Sequence, residues 1–169
     1  MDSLVFDTSA ILNFGHRGEL AALLKKLGGE YRILTTPEAQ NELTDPKRKD
    51  FYSAFLKEHY IVQSATTSFD FATLANLTRT IDQAEITVMT LASELDGRAV
   101  LDERAARREA KVLGLGVTGT LGLMNEGLKK LWLTEVDCIN AVAKLCATGF
   151  AIPRPTPGHS FTDYLSTIE

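Results

Sequence analysis

The chain has 169 residues, of which 44% are hydrophobic and 24% are charged, and its formal net charge is −4. These values are typical of a globular protein, and a chain of this length suits one domain that buries about 70% of its unfolded surface. The N-terminal residues lack a basic segment, and no apolar run reaches the roughly 18 residues of a membrane-spanning helix, so we expect a cytoplasmic protein without a membrane partner. The acidic balance argues against a protein that coats nucleic acid, although it is compatible with a nuclease built on carboxylates.

Short apolar strands alternate with helices in the first part of the chain. Thr36 and Pro37 mark one helix start, because threonine caps helices and proline suits their first turn. The predicted elements, in chain order, are a strand at 4–7, a helix at 18–29, a strand at 31–35, helices at 36–43 and 51–59, and a strand at 60–64.

The same alternation continues in the rest of the chain. The predicted elements are helices at 69–80 and 81–95, a strand at 98–102, a helix at 103–114, a strand at 115–119, helices at 120–132 and 135–149, and a weak helix at the end of an irregular segment at 151–169.

This order of elements predicts an α/β protein. Strands separated by helices form a parallel sheet with helices on both faces, and the short apolar strands suit a sheet that is covered on both sides. We expect residues 1–150 to form the main body, and residues 151–169 to be a C-terminal tail of the same single domain.

The stretch GLGVTG (114–119) matches a dinucleotide-binding pattern but stands in the wrong context. In that fold the glycines follow the first strand and open a helix, whereas Gly114 follows a predicted helix. A helix C-terminus and a short loop explain the motif better. Gly119 and Thr120 do lie between a strand and a helix, and Thr120 is a candidate N-cap.

Acidic residues follow two of the predicted strands. Asp7 ends the first strand, and Asp102 and Glu103 end the fourth. Chemistry in an open parallel sheet collects at the carboxyl ends of the strands, and strands one and four are often neighbours across the switch point. Asp7 is therefore either the cap of a following helix or a metal ligand close to the Asp102–Glu103 pair.

Two further acids are candidates for the same site, and each can also be explained by a purely structural role. Glu42 lies late in the helix after the second strand, where an exposed glutamate is common. Glu85 lies in the first turn of a helix and, with Asp82, forms a pattern typical of a capping box.

A cluster of carboxylates would need a divalent cation. Neighbouring carboxylates raise each other's pKa, and a divalent ion such as Mg²⁺, which prefers oxygen ligands, removes that repulsion. Such an ion can activate water and stabilise a leaving oxygen, so no catalytic histidine is required. The three histidines stand beside no candidate nucleophile.

Four segments together resemble PIN-domain proteins, especially compact prokaryotic members similar to VapC-type toxin ribonucleases. These segments are LVFDTSAIL, the acid in NEL, DQAEITVMTLA and VLDERAARREAKVLGLGVTGTLGLM. The resemblance covers about residues 4–150, and the stretch from Val100 is its most specific part. It implies a three-layer α/β/α fold, an Mg²⁺- or Mn²⁺-dependent ribonuclease site, a small antitoxin as partner in many members, and homodimers.

The resemblance also assigns roles to the acids. Asp7 matches the first metal ligand, Glu42 matches the acid closing the helix after strand two, and Glu85 matches a third acid. Asp102 and Glu103 match an acidic pair that is more often two aspartates. Metal would thus be held by Asp7, Glu85, Asp102 and Glu103, with Glu42 completing the catalytic set.

Polar and basic residues near these acids are candidates for substrate contacts. Arg104 and Arg107 begin a basic stripe, continued by Arg108 and Lys111, that would meet RNA phosphates, although such a stripe is more often a solvated helix face. Arg107, which also matches the family motif, is the preferred partner of a phosphate or a carboxylate. Ser9 would support the metal site through a hydrogen bond, and Thr120 is a further phosphate contact. A second basic cluster at 47–49 is more simply explained by solvation.

Two other classes of function compete with a ribonuclease. A PIN-like binding module without catalysis fits the acidic net charge and the Glu103 departure. A phosphotransfer enzyme fits poorly, because Ser9 stands where a dehalogenase-like phosphatase has its second aspartate, and the third strand, YIVQS, lacks the phosphoacceptor of a receiver domain.

Overall fold

A computed structural model describes residues 1–168, and one sheet of five parallel strands lies at its centre. The strands are β1 (Ser3–Phe6), β2 (Arg32–Thr35), β3 (Ile61–Val62), β4 (Arg98–Val100) and β5 (Gly116–Thr118). They lie in the order β3-β2-β1-β4-β5, so β1 and β4 are neighbours as predicted.

Helices connect the strands and cover both faces of the sheet. They are α1 (Thr8–Leu12), α2 (Ala21–Leu27), α3 (Pro37–Asn41), α4 (Lys49–His59), α5 (Phe71–Leu77), α6 (Gln83–Glu94), α7 (Arg104–Val112), α8 (Thr120–Lys129), α9 (Glu135–Ala147) and α10 (Phe161–Ile168). A π-helical turn (Asn13–Arg17) follows α1, and a 3₁₀ turn (Pro46–Arg48) precedes α4. In this described part of the chain, no helix has both the length and the apolar character that crossing a bilayer requires.

Two separate apolar cores lie on the two faces of the sheet. On β1, Leu4 and Phe6 belong to one core and Val5 to the other, because successive side chains of a strand point to opposite faces. The first core, here called the α4 core, also contains Tyr52 of α4, and the second, the α6 core, contains Met89 of α6. The predicted α/β/α sandwich is therefore confirmed.

The glycine motif forms the end of α7 and strand β5, as expected, but the predicted N-cap that follows it is wrong. Gly114 follows α7 with a φ of +71°, a conformation that favours glycine, and its N–H donates to the carbonyl of Lys111 at 3.0 Å. The proposed N-cap at Thr120 is wrong, because the cap position of α8 is Gly119 and Thr120 is the first helical residue. The Thr120 N–H is instead capped by the side chain of Asp102, which is distant in sequence.

The π-helical turn was not predicted, and α1 was expected only as the helix that Asp7 would cap, without bounds. Their combined span of ten residues holds Ala10, Ile11 and Phe14, all of which are buried in the α4 core. A five-residue helix is too short to show the 3.6-residue periodicity on which sequence-based prediction depends.

The C-terminal tail ends in helix α10, as predicted. Phe161 and Tyr164 are buried in the α4 core, and the carboxylate of Glu135 on α9 accepts a hydrogen bond from the Phe161 N–H at 2.6 Å. The tail is thereby packed onto the main body, and the single domain stays a prediction.

Candidate functional site

Asp7 lies directly after β1, at the carboxyl edge of the sheet. Its N–H donates to the carbonyl of Val100 on β4 at 3.1 Å, and its carboxylate accepts a hydrogen bond from the Ser9 N–H at 3.3 Å as the cap of α1. Asp7 therefore caps α1, which was one of the two roles considered for it, and its role as a metal ligand stays a prediction. The side chain is 4% exposed, so a carboxylate stands here with very little solvent around it.

Burial raises the pKa of Asp7 to about 6. The N–H groups of Thr8 and Ser9 oppose this rise, while the negative charges of Asp82 and Glu42 add to it. The capping hydrogen bonds therefore do not compensate the carboxylate, and a positive charge at this point would stabilise it.

Glu85 is held at the start of α6 by the predicted capping box. The Glu85 carboxylate accepts a hydrogen bond from the Asp82 N–H at 3.0 Å, and the Asp82 carboxylate accepts one from the Glu85 N–H at 2.9 Å. Burial, with a smaller contribution from the charges of Asp82, Asp7 and Glu103, raises the pKa of Glu85 to about 7, although the hydrogen bond from the Asp82 N–H lowers it. Glu85 thus caps α6 and also lies close enough to Asp7 for the two charges to interact.

Asp102 is buried and both of its carboxylate oxygens accept hydrogen bonds. Oδ1 accepts from the Thr120 N–H at 2.7 Å, and Oδ2 accepts from the Thr120 hydroxyl and from Nδ2 of Asn13 at 2.9 Å. Burial raises its pKa, and these donors, with the positive charge of Arg107, oppose the rise. Asp102 joins the end of β4 to the first turn of α8 and to the end of α1.

Asn13 is a polar residue of this network that the sequence analysis missed. It is fully buried, and its Oδ1 atom has no hydrogen-bond partner among the described residues. The signal was a lone asparagine in the apolar run AILNF, where a buried amide must find a specific partner.

Glu42 ends α3 as an exposed residue that contacts the site through Thr8. The Thr8 hydroxyl is 2.7 Å from Oε2 of Glu42 and 3.1 Å from the carbonyl of Ala39. Thr8 was also missed; it lies between Asp7 and Ser9 in the same motif. It ties α3 to the start of α1 and holds Glu42 near Asp7.

Glu103 and Ser9 lie near the candidate acids with few contacts of their own. Glu103 is exposed at the cap position of α7 and makes no side-chain capping bond, yet its charge raises the pKa of Glu85. Ser9 is half-buried and contacts the Asp7 carboxylate through its backbone N–H.

The three proposed substrate contacts differ in accessibility. Arg104 is exposed at the start of α7. Arg107 is half-buried, and its Nη1 donates to the carbonyls of Leu101 and Asp102, so part of its guanidinium fixes the end of β4. Thr120 is fully buried with its hydroxyl directed to Asp102, so it orients that carboxylate and does not face solvent.

The carboxylates have the oxygen chemistry that a hard divalent cation prefers, but few of them lie close together. Within residues 1–168, no group of three or more His, Cys, Asp or Glu side chains lies close enough to hold a metal ion. Magnesium, however, is commonly bound through only one or two carboxylates and keeps several waters. Asp7 and Glu85 provide two buried carboxylates with raised pKa values, which is the donor chemistry that such an ion requires.

Fold and site together define a class of protein: a three-layer α/β sandwich in which Asp7 and Asp102 follow the neighbouring strands β1 and β4 at the carboxyl edge of a parallel sheet. A family model described as DUF3368, a PIN domain, matches residues 3–156. The chain therefore belongs to this PIN-domain family and has its nuclease-like fold. PIN domains are generally nucleases that use divalent metal ions. No curated protein matches the chain.

Proposed function

We propose that this protein is a divalent-metal-dependent ribonuclease that hydrolyses RNA phosphodiester bonds. The observation that carries the proposal is the pair of buried carboxylates, Asp7 and Glu85, whose pKa values burial and neighbouring acids raise to about 6 and about 7. Uncompensated buried negative charge costs folding free energy, so its presence at the carboxyl edge of the sheet favours a functional role.

Asp7 and Glu85 would hold the cation, with Glu103 at the margin and Glu42 completing the acidic surroundings. When bound, Mg²⁺ or Mn²⁺ would supply the Lewis acidity that activates water and stabilises the leaving oxygen. The chain's own contribution is to keep these carboxylates fixed before substrate arrives. The α1 cap and the α6 capping box do this for Asp7 and Glu85.

Asp102 would act as the rigid member of the acidic group. Its oxygens already accept hydrogen bonds from Asn13 and Thr120. It would therefore either bind the cation through a remaining lone pair or orient the groups that bind the cation. Ser9, half-buried beside Asp7, would complete the polar surroundings.

Arg104 is the better placed of the two arginines for an RNA phosphate. It is exposed one residue after Glu103, whereas Arg107 is engaged with backbone carbonyls and would contribute mainly its charge. A guanidinium beside an acidic site attracts phosphate while the acids bind the cation.

The family resemblance extends the proposal to biological partners. A homodimer that is the toxin of a toxin-antitoxin pair, neutralised by a small antitoxin and acting on cytoplasmic RNA, would fit a compact PIN domain. A binding module without catalysis is the second candidate, and the lack of a three-ligand group among residues 1–168 favours it.

The test is cleavage of a labelled single-stranded RNA by wild type, Asp7→Asn and Asp96→Asn, each with Mn²⁺, with Mg²⁺ and with EDTA. Asp96 is exposed before β4, at the opposite edge of the sheet, so its variant removes the same charge away from the site. We expect Asp7→Asn to lose at least about 100-fold in rate and Asp96→Asn to match wild type. Equal rates for all three proteins would exclude the ribonuclease. Calorimetric Mn²⁺ binding that requires Asp7, without cleavage, would identify a binding module.

A further inference from the structure

Phe51 is an exposed aromatic residue that lies on a stack of buried rings. Phe51 is 43% exposed. Its ring is stacked on that of Phe55, with an interplanar angle of 12° and 5.6 Å between the ring centroids. Tyr52 packs edge-on against it at 5.2 Å. On the other side is Gly15 of the π-helical turn, where an added Cβ would lie 3.4 Å from the Phe51 ring. The ring is thus fixed in orientation while part of it remains open to solvent.

Cations lie near Tyr52, the ring that packs edge-on against Phe51. Arg17 and Arg48 lie beside the His16–Tyr52 pair: burial lowers the pKa of His16, and the charges of Arg48 and Arg17 lower it further. Lys47 and Lys49 are exposed in the same segment. We call Arg17, Lys47, Arg48, Lys49 and Phe51 the basic aromatic surface.

The charge of this surface is opposite to that of the whole chain. Its four cations face two acids of the same segment, Asp45, which pairs with Arg48 at 3.6 Å, and Asp50, in the first turn of α4. The surface therefore keeps a positive excess on a protein whose net charge is −4.

The basic aromatic surface lies next to the candidate acids. The segment that begins at Asp7 passes through α1 and the kinked π-helical turn to Gly15, which packs against Phe51, a span of at most about 12 Å at helical rise. On the other side, a cleft lined by Asn41, Leu43 and Lys49 runs between the end of α3, where Glu42 lies, and α4. A strand of nucleic acid that contacts Phe51 would thus reach the acidic site within a few nucleotides.

We propose that the basic aromatic surface binds single-stranded RNA, with a base stacked on Phe51 and phosphates held by the adjacent cations. This inference rests on the proposed function and assigns it a contact surface, outside the acidic site, for the unpaired strand. Stacking on an aromatic ring requires a base that is free of its duplex, and every base offers a face for it. An exposed ring among cations matches that chemistry better than it matches a purely apolar protein surface.

The first experiment measures binding separately from cleavage. A labelled 12-nucleotide RNA without self-complementarity is titrated by fluorescence anisotropy with Asp7→Asn protein in EDTA, so that no cleavage occurs. In this background we expect Phe51→Ala to weaken affinity at least about fivefold, and Phe51→Trp to retain it within about twofold, because stacking is worth about 1–3 kcal/mol per base. A thermal melt of each variant verifies folding.

Phe71→Ala is the matched control. Phe71 is 87% exposed on α5, which packs through Leu77 in the α6 core, on the other face of the sheet. The same truncation is therefore made on a ring outside the basic aromatic surface, and we expect the affinity to be unchanged.

The second experiment measures the salt dependence of binding. The double variant Lys47→Ala, Lys49→Ala should reduce the slope of log affinity against log salt by about 0.7 for each lost phosphate contact. Lys25→Ala, Lys26→Ala removes two exposed lysines from the last turn of α2 and should leave the slope unchanged.

Three results would overturn the inference. They are wild-type affinity in Phe51→Ala with unchanged oligomeric mass, wild-type affinity in Phe51→Ala with an altered oligomeric mass, which would make this face a protein interface, and an equal loss of affinity in Phe71→Ala. The inference and the ribonuclease proposal fail separately, since the cleavage comparison of wild type with Asp7→Asn does not use these variants.

Discussion

The side-chain amide of Asn13 donates a 2.9 Å hydrogen bond to Oδ2 of Asp102, 89 residues further along the chain. Both residues are buried, and Thr120 donates to the same carboxylate from the start of α8. One acid therefore fixes the ends of α1 and β4 and the beginning of α8 relative to one another. A fixed carboxylate loses little conformational freedom when a cation or substrate binds beside it.

Replacing Asn13 with alanine should weaken both folding and activity. The buried Asp102 carboxylate loses one donor, which we expect to lower the free energy of unfolding by about 1–3 kcal/mol in urea denaturation. RNA cleavage should fall by about 10- to 100-fold, as is typical when a group that orients a metal ligand is removed. Asn140→Ala, on an exposed position of α9, is the control. Wild-type cleavage by Asn13→Ala would show that the amide has no positioning role.

Neutralising Asp7 should stabilise the metal-free protein above pH 6. Asp7 ionises near 3.8 when unfolded and near 6 when folded, so between these values the folded state holds the extra proton and stability falls as pH rises. The loss amounts to at most about 3 kcal/mol. In EDTA, Asp7→Asn should therefore be more stable than wild type at pH 8 and similar at pH 4, since asparagine keeps the helix cap. Urea denaturation across pH measures this, with Asp96→Asn as control; a difference that is constant with pH would contradict it.

The sequence predicted those parts of the structure that depend on local pattern. All five strands, the capping box of Asp82 and Glu85 and the helix end at Gly114 follow from periodicity and from the chemistry of nearby residues. The adjacency of β1 and β4 followed from the general topology of open parallel sheets.

What the sequence did not predict depends on contacts between distant residues. Asp102 accepts hydrogen bonds from Asn13 and Thr120, which lie 89 and 18 residues away. The asparagine in AILNF signals a buried amide, but no local pattern indicates that its partner is Asp102. The same holds for Arg107: its role as a phosphate or carboxylate partner stays a prediction, and the sequence did not indicate that its Nη1 donates to carbonyls at the end of β4. Packing, not periodicity, decides where such side chains point.

Arg104 and Arg107 should respond differently to substitution by alanine. Arg104→Ala removes an exposed cation, so stability should stay within about 0.5 kcal/mol of wild type while the salt slope of RNA affinity falls by about 0.7. Arg107→Ala removes the donor to the carbonyls of Leu101 and Asp102, so we expect a loss of about 1–3 kcal/mol. Urea denaturation and anisotropy measure both quantities. Equal stability of the two variants would show that the carbonyl contacts contribute little.

A divalent cation should stabilise the protein more at pH 8 than at pH 5.5. Asp7 and Glu85 must be ionised to bind it, and burial raises their pKa values to about 6 and about 7. A concentration of Mn²⁺ one hundred times its Kd should add about 2.7 kcal/mol, measured as a rise in Tm. Glu85→Gln should lose most of this rise while keeping the capping box, because glutamine also serves at that position. Glu58→Gln, exposed on α4, should behave as wild type; a rise independent of pH and of Glu85 would place the ion elsewhere.

The C-terminal helix should prove to be part of the single domain, although the family match ends at residue 156. Phe161 is fully buried and its N–H donates to Glu135, so Phe161→Ala should cost about 3–5 kcal/mol in urea denaturation. Phe71→Ala, made on an exposed ring, should cost less than about 0.5 kcal/mol. Because Phe161 packs in the same core as Phe6 of β1, loss of its ring should lower the midpoint of one cooperative transition. An early, separate transition in Phe161→Ala would instead mean that the tail unfolds independently of the sheet.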